Sequence, residues 1–477
     1  MANLLGRLGF IAALVAGVFL AGYSFSVQNA ESRARSSPRD KLVRDIFREL
    51  VEIKTTAAVG STKAAGAMAA RLITAGFPAG DVQVLGPRDK NKNLVARYRG
   101  TGKLRPILFI GHLDVVEARR EDWSFDPFVF REQDGFFYGR GTSDMKGEDA
   151  DLVANFIRLR SEGYIPDRDM ILALTDDEES GDANGVSWLV ENHRDPIDAE
   201  LCVNPDGGSA DIRNGKRATL AVQTSEKVYI SYELEVKNKG GHSSLPVKDN
   251  AIYRLAAGLI RLALFDFPVR LNETTRAFFE RAAAQESAPM RADMLSILKT
   301  PGDAAAESRI SASSAYYNAL MRTTCVATML SAGHAENALP QRARAIVNCR
   351  MLPDDTPDNI LATLRRVLDD PQISVTPLNQ PFLSPVSPLR KDVQDAVERL
   401  TASMWPGAVV TPIMSTGATD GKYLRRAGIP VYGISGLFGD VDDVRAHGKD
   451  ERVGVREFYE GVDFMYQLMK ALSSARP

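Results

Sequence analysis

From about Ser37 to Thr224, short apolar runs alternate with stretches of helical period. Pro106-Ile107-Leu108-Phe109-Ile110, Met170–Leu174 and Glu200–Val203 read as buried strands. That alternation predicts an α/β fold, a first domain with a mostly parallel central sheet flanked by helices. Each run leads directly into His, Asp or Glu residues, and open α/β sheets place their sites beyond the C-terminal strand ends. After Thr224 the period changes: Val228–Val236, Cys325–Leu330 and Ala343–Met351 look like strands, and Ala251–Leu264 is helical. Residues 225–382 therefore read as an inserted α+β domain, within which the charged, Ala-rich stretch Phe265–Ser314 is expected to form helices over the cleft. Ser387–Met404 resumes a helical pattern, and Val409–Met414 and Ile429–Ile434 resume strand patterns. The first domain is thus discontinuous, over 37–224 and 383–477.

The N-terminal residues 1–36 stand apart. Arg7 precedes an uncharged apolar run, Leu8 to about Val27, followed by polar residues from Gln28 to Arg39. This is a targeting pattern, a signal peptide or N-terminal anchor plus linker, intermediate in length between a signal core and a membrane span. It implies a secreted or periplasmic protein, membrane-anchored through residues 8–27 if that segment is not cleaved. With 59 basic against 61 acidic residues and no dense Lys/Arg stripe, nucleic acid is not an expected partner. Cys202, Cys325 and Cys349 have no metal-site spacing; Cys325 and Cys349 could pair in an oxidising compartment or stay buried as thiols.

The chemistry gathers around histidines. Of five in the chain, His112, His242 and His447 lie in non-periodic, Gly-rich contexts. His112 is two residues from Asp114, a spacing that in extended chain puts both side chains on one face, so one can bind a metal while the other fixes its imidazole. Asp144 sits in a glycine-bounded loop, Gly139-Arg140-Gly141-Thr142-Ser143-Asp144-Met145-Lys146-Gly147, just ahead of a helix. Asp176-Asp177-Glu178-Glu179 places four acids at the end of an apolar strand, a cluster that repels itself unless a cation or shared protons sit in it. Asp206 ends a further strand in Asn204-Pro205-Asp206-Gly207-Gly208.

In this order, His-x-Asp, Gly-Arg-Gly-x-x-Asp-Met-Lys-Gly, Asp-Glu-Glu-x-Gly, Asp-Gly-Gly, Gly-Gly-His-Ser-Ser-x-Pro and a late His-Gly resemble the di-zinc metallopeptidases. That family includes aminoacylase, carboxypeptidase G, carnosinase-like dipeptidases, carboxypeptidase S and succinyl-diaminopimelate desuccinylase. The resemblance implies that His112 and Asp206 bind one Zn2+, Glu179 and His447 the other, and Asp144 bridges them, with Co2+ or Mn2+ able to replace zinc. Asp114 would orient His112 and Glu178 would be the general base. His242, on a lid that often also serves as a homodimer surface, would stabilise the oxyanion, frequently from the neighbouring subunit. Asn337, Arg350, Gly417 and Thr419 match substrate-holding elements, Arg350 being suited to bidentate carboxylate capture. The implied reaction is amide hydrolysis in a dipeptide or short peptide, with an N-acyl amino acid as the alternative. A silent peptide-binding module and a two-metal phosphatase fit less well, the first because it needs no acid beside the metals, the second because no Gly-rich phosphate loop is present.

Overall fold

The computed structural model describes residues 37–299 and 303–475; the predicted targeting segment, residues 1–36, lies outside the described residues. Among the described residues no helix is long and apolar enough to cross a membrane.

A six-stranded sheet forms the centre, in the order 82–85, 93–98, 170–175, 107–112, 201–203, 431–432. The last four strands run parallel and the first two are antiparallel additions at one edge. Ile107–His112 is buried along its whole length, and the alternation of its side chains explains why both faces are covered. Ile107 and Phe109 enter a core with Phe47, Phe156 and Phe458, whereas Leu108 and Ile110 enter a second core with Val186, Leu189 and Val431. The helix Lys146–Ser161 is buried almost all round, between the sheet and the helices Pro38–Glu52 and Val455–Ser473. Beside this sheet lies a second one, of strands 409–415, 216–226, 209–213 and 438–440.

Strands 324–332, 342–351, 228–237 and 373–377 make a separate antiparallel sheet with its own core, completed by helices Ala251–Ala263 and Pro357–Leu368. Cys325 and Cys349 stand opposite each other in this sheet and form a disulfide, which decides the alternative left by the sequence; Cys202 is a buried free thiol. The stretch expected over the cleft does form helices, Glu273–Ala283, Ala288–Lys299, Ala304–Ser313 and Ala315–Met321. Their shared core, however, takes in Met414 and Ile413, so they dock on the strand Val409–Ser415 of the second sheet. Phe278, Phe279, Met294 and Ile297 supply the apolar area that seats them there.

Candidate metal centre

Three strand ends and two loops converge at one point. His112 is the last residue of its strand, Glu178 and Glu179 follow the neighbouring strand Met170–Thr175, and Asp206 follows Leu201–Val203. Asp144 immediately precedes the Met145 cap of the buried helix, and His447 sits in a loop with a left-handed backbone (φ 62°). Two triads result, His112/Asp144/Asp206 and Asp144/Glu179/His447, each with ligand atoms within 4.8 Å of one another. Asp144 belongs to both. Its Oδ1 lies 3.1 Å from His112 Nε2 and its Oδ2 lies 3.1 Å from His447 Nε2. His112 Nε2 is 4.0 Å from Asp206 Oδ1, and His447 Nε2 is 2.9 Å from Glu179 Oε1.

The protonation pattern is that of a site built around positive charge. Burial pushes the Glu178 carboxyl up to about 9, helped by the charges of Asp420 and Asp206 against the opposing pull of His112. Burial likewise pushes Asp206 and Asp114 up to about 7. Asp144 is the exception: burial works against its charge, but hydrogen bonds from both histidines hold it well below the usual carboxylate range. His447 rises to about 9, chiefly through its bond to Asp144. Five carboxylates and two imidazoles in so small a volume relieve their repulsion and desolvation only by holding protons or cations. Mixed N and O donors arranged as two triads about one shared carboxylate suit a pair of divalent ions.

The acidic run divides into two functions. Asp176 accepts hydrogen bonds from Ser61 N, Ser61 Oγ and Asn91 Nδ2, and Asp177 accepts from Ser180 and Ala183, so both fix the loop. Glu179 is left to reach His447, with Glu178 beside it among the site's charges. Asp114 differs from expectation in how it acts. His112 Nδ1 is bonded to the backbone carbonyl of Asp114 (3.1 Å), while the Asp114 carboxylate is 3.7 Å away and accepts from the amides of Glu178 (3.1 Å) and Glu179 (3.0 Å). One residue thereby sets the imidazole through its backbone and the acidic loop through its side chain.

Sequence reasoning assigned no role to Arg140 or Glu451. The buried Glu451 carboxylate accepts from the amides of Gly141, Ser143 and Asp144, from Ser143 Oγ, and from Arg140 Nη1 (2.5 Å). Arg140 Nη2 also donates to the carbonyls of His447 (3.3 Å) and Gly448 (3.2 Å). This pair locks the loop of the shared carboxylate to the loop of the last histidine. The signal was present, since Arg140 stands in the quoted glycine motif and Glu451 four residues beyond His447, but only folding shows that they meet. Asp420 was missed in the same way: it accepts from Thr175 Oγ1 (3.2 Å) and Asn184 Nδ2 (2.6 Å), tying the acidic loop to residues 415–421.

The remaining expected residues lie elsewhere. His242 is exposed, bonded through Nδ1 to Ser244 Oγ (2.8 Å), and has no hydrogen bond to the metal cluster among the described residues. Asn337 is beside it, its carbonyl accepting from Ser243 N (3.0 Å). The Arg350 guanidinium lies over the Tyr229 ring at 5.0 Å. Gly417 is exposed. Thr419 is buried, and its N and Oγ1 both donate to the Glu226 carboxylate.

The sequence signature of Peptidase family M20/M25/M40 matches residues 108–471. The chain belongs to this family. It is a metallopeptidase-type hydrolase, and the two triads are candidate metal-ligand groups. Among its relatives, a probable carboxypeptidase S-like 2 of Dictyostelium discoideum is 29% identical over 80% of this chain and 74% of that protein. The human N-fatty-acyl-amino acid synthase/hydrolase PM20D1 is 30% identical over 77% of this chain and 74% of its own length. The fold matches an M20 family metallo-carboxypeptidase from Sulfolobus solfataricus with a TM-score of 0.64 at 18% identity, covering 90% of this chain and 98% of that one. Human carnosine dipeptidase 1 gives 0.59 at 16%, covering 91% and 96%.

Proposed function

We propose that this chain hydrolyses the amide bond of a dipeptide, short peptide or N-acyl amino acid outside the cytoplasm, with zinc as its native metal pair. The observation that carries this reading is Asp144, whose two oxygens face two different histidines. His112 and Asp206 would hold one ion, Glu179 and His447 the other, and Asp144 both. Such a pair supplies Lewis acidity and lowers the pKa of water. Glu178 would take a proton from the attacking water on its carboxylate and return it to the leaving nitrogen; burial raises its affinity for that proton, as a general base requires. Asp114 keeps Glu178 and Glu179 in place through their amides. Arg350 would take the substrate carboxylate on leaving Tyr229, and Asn337 and the backbone at Gly417 would line the pocket.

The lid, residues 225–382, also offers a dimer surface. Its edge strand Thr324–Ala332 exposes Val326, Met329 and Leu330, and the adjoining helix exposes Ile252, Tyr253 and Ile260. An apolar open edge is a template for pairing with a second chain. In that assembly His242 would serve the partner's site. The apolar run Leu8–Val27 and the Cys325–Cys349 disulfide both support export to an oxidising compartment. The N-acyl amino acid reading is favoured by the similarity to PM20D1.

The deciding experiment assays purified, metal-analysed protein on dipeptides and N-acyl amino acids, with and without chelator. Chelator-sensitive cleavage with about two zinc per chain is expected; two metals without cleavage of any amide would overturn the reading.

A further inference from the structure

The chain crosses between its two domains twice. It leaves the strand Lys216–Glu226 for the lid strand Val228–Lys237, and it returns through residues 378–390 ahead of the helix Lys391–Met404. The crossings meet where Ser387 N donates to the Thr224 carbonyl (2.8 Å). One residue outside both of them holds them together. Arg425, on the short helix Gly421–Arg426, donates through Nη2 to Glu226 on the first crossing and through Nε to Ser384 Oγ (3.1 Å) on the second. Glu226 also accepts from Thr419 N (2.6 Å) and Oγ1 (3.1 Å), next to the Asp420 that reaches the acidic loop through Thr175 and Asn184. Arg425, Glu226, Ser384, Thr419 and Asp420 are all buried. Burial pushes the guanidinium down to about 10, so it stays charged at neutral pH.

Around this node the crossings are not packed solid. A cavity of about 230 Å³ lies between them, lined by Lys227 and Tyr229 of the first, Gln380 and Phe382 of the second, and Ala418 and Lys422 of the catalytic domain. That space leaves the crossings room to flex beside a fixed point. Arg350, which would take the substrate carboxylate, rests on the Tyr229 ring at the cavity's edge. We propose that Arg425 is a positioning residue that joins both crossings and the Thr419–Asp420 loop in one pivot, and so sets where the lid presents Arg350 to the metal centre. This rests on the reading in which the lid holds the substrate of an amide hydrolase. Domain hinges are a few loop or element-terminal residues that absorb backbone rotation, and Glu226 and Ser384 stand at such places. A buried guanidinium stripped of a partner is costly, so the two crossings can turn about Arg425 but not away from it.

Hydrogen exchange of the metal-loaded chain tests the pivot without a substrate. The amide of Lys227, bonded to the Ser415 carbonyl (2.9 Å), reports the first crossing. The amide of Ser387 reports the second, and that of Thr419, bonded to Glu226, reports the loop. Ser384→Ala and Arg425→Lys both remove the Nε bond and should speed exchange at Ser387 about 2- to 10-fold. Lys227 should keep its parent rate in Ser384→Ala, whereas Arg425→Met should speed all three amides. In every variant the strands Met170–Thr175 and Arg342–Met351 should exchange as in the parent. If Arg425→Met does not fold, the two milder variants decide. Kinetics tests the link to the site. Arg425→Lys should raise KM about 3- to 30-fold for substrates with a free carboxylate and leave kcat nearly unchanged. Added to Arg350→Ala, it should cost little more, since a lid without its carboxylate ligand has nothing left to position. Unchanged exchange at all three amides, an even rise through both cores, an unchanged KM, or losses that simply add would each overturn the proposal. If no amide is cleaved, the exchange pattern alone decides the pivot, while the hydrolase reading falls.

Discussion

The two halves of the metal centre are made of similar groups but are built differently. His112 ends a fully buried strand at 2% exposure, and its Nδ1 is fixed by the next turn of its own chain. The side chain of His447 is 51% exposed, sits on a left-handed loop residue, and depends on the distant Arg140–Glu451 pair for its position. One half is therefore an extension of the sheet, and the other is a loop clamped to it. Similar ligand chemistry need not mean similar rigidity: the first half inherits its geometry from the core, the second from one buried ion pair.

The largest effect tests what the two halves share. Glu178→Gln should lower turnover by about three to four orders of magnitude, with metal content unchanged in both halves; retention of most activity would show the base to be another residue. Next, His112→Ala should cost metal and melting temperature together, since it opens the buried end, whereas His447→Ala should lose one ion and leave the melting curve of the metal-free chain almost unaltered. Metal analysis alongside calorimetric melting of each variant reads this difference, and equal destabilisation would remove it.

Glu451→Gln sharpens the contrast. It breaks one partner of a buried pair, at a cost of about 3–5 kcal/mol. It should weaken the ion held by His447 and Glu179 by about 10- to 100-fold, with a smaller change at the His112 half, as titration with a competing chelator can measure.

A gentler probe is pH. In the metal-free chain Glu178, Asp206 and Asp114 have raised folded pKa values, and His447 is raised to about 9. Through these groups the folded state binds more protons than the unfolded state from about pH 4 to 9, so their contribution to stability falls as pH rises through that window; the buried Lys146 and Lys227, pushed down to about 7, act oppositely above that pH. The depressed Asp144 acts oppositely only at the acid end, its stabilisation being lost as pH falls below its unfolded value. Melting of the metal-free protein should drop steadily between about pH 5 and 7, while the metal-loaded protein, its ligands held deprotonated, should show little slope and should release protons on loading. Parallel slopes in the two forms would mean that these carboxyls do not titrate as described. The smallest effect concerns assembly: inactive His242→Ala and Glu178→Gln chains, mixed under conditions of subunit exchange, should regain at most about a quarter of parent activity if His242 acts across a dimer. No recovery after proven exchange would place its action within one chain.

Much of this molecule was legible one segment at a time. Buried strands announced themselves as apolar runs such as Ile107–Ile110 and Met170–Leu174, because a strand covered on both faces cannot hide its composition. The acids and histidines near their ends were expected from the rule that sheets expose chemistry at strand termini, and the resemblance of their motifs to the di-zinc metallopeptidases singled out His112, Asp144, Glu179, Asp206 and His447. What stayed illegible depended on pairs far apart in the chain. Glu451 reaches Arg140 across 311 positions, and the carboxylate of Asp114 serves two amides more than sixty residues away. The seating of the helices 273–321 on Val409–Ser415 was hidden for the same reason, since their apolar faces show that they must be buried but not against what. The sequence by itself determined the donor types and the strand ends that carry them, because hydrophobic period and local spacing are properties of short segments. Only the tertiary structure decided which oxygen meets which nitrogen and which acids hold the loop instead of the site; each of these is set by packing between elements that no local pattern encodes.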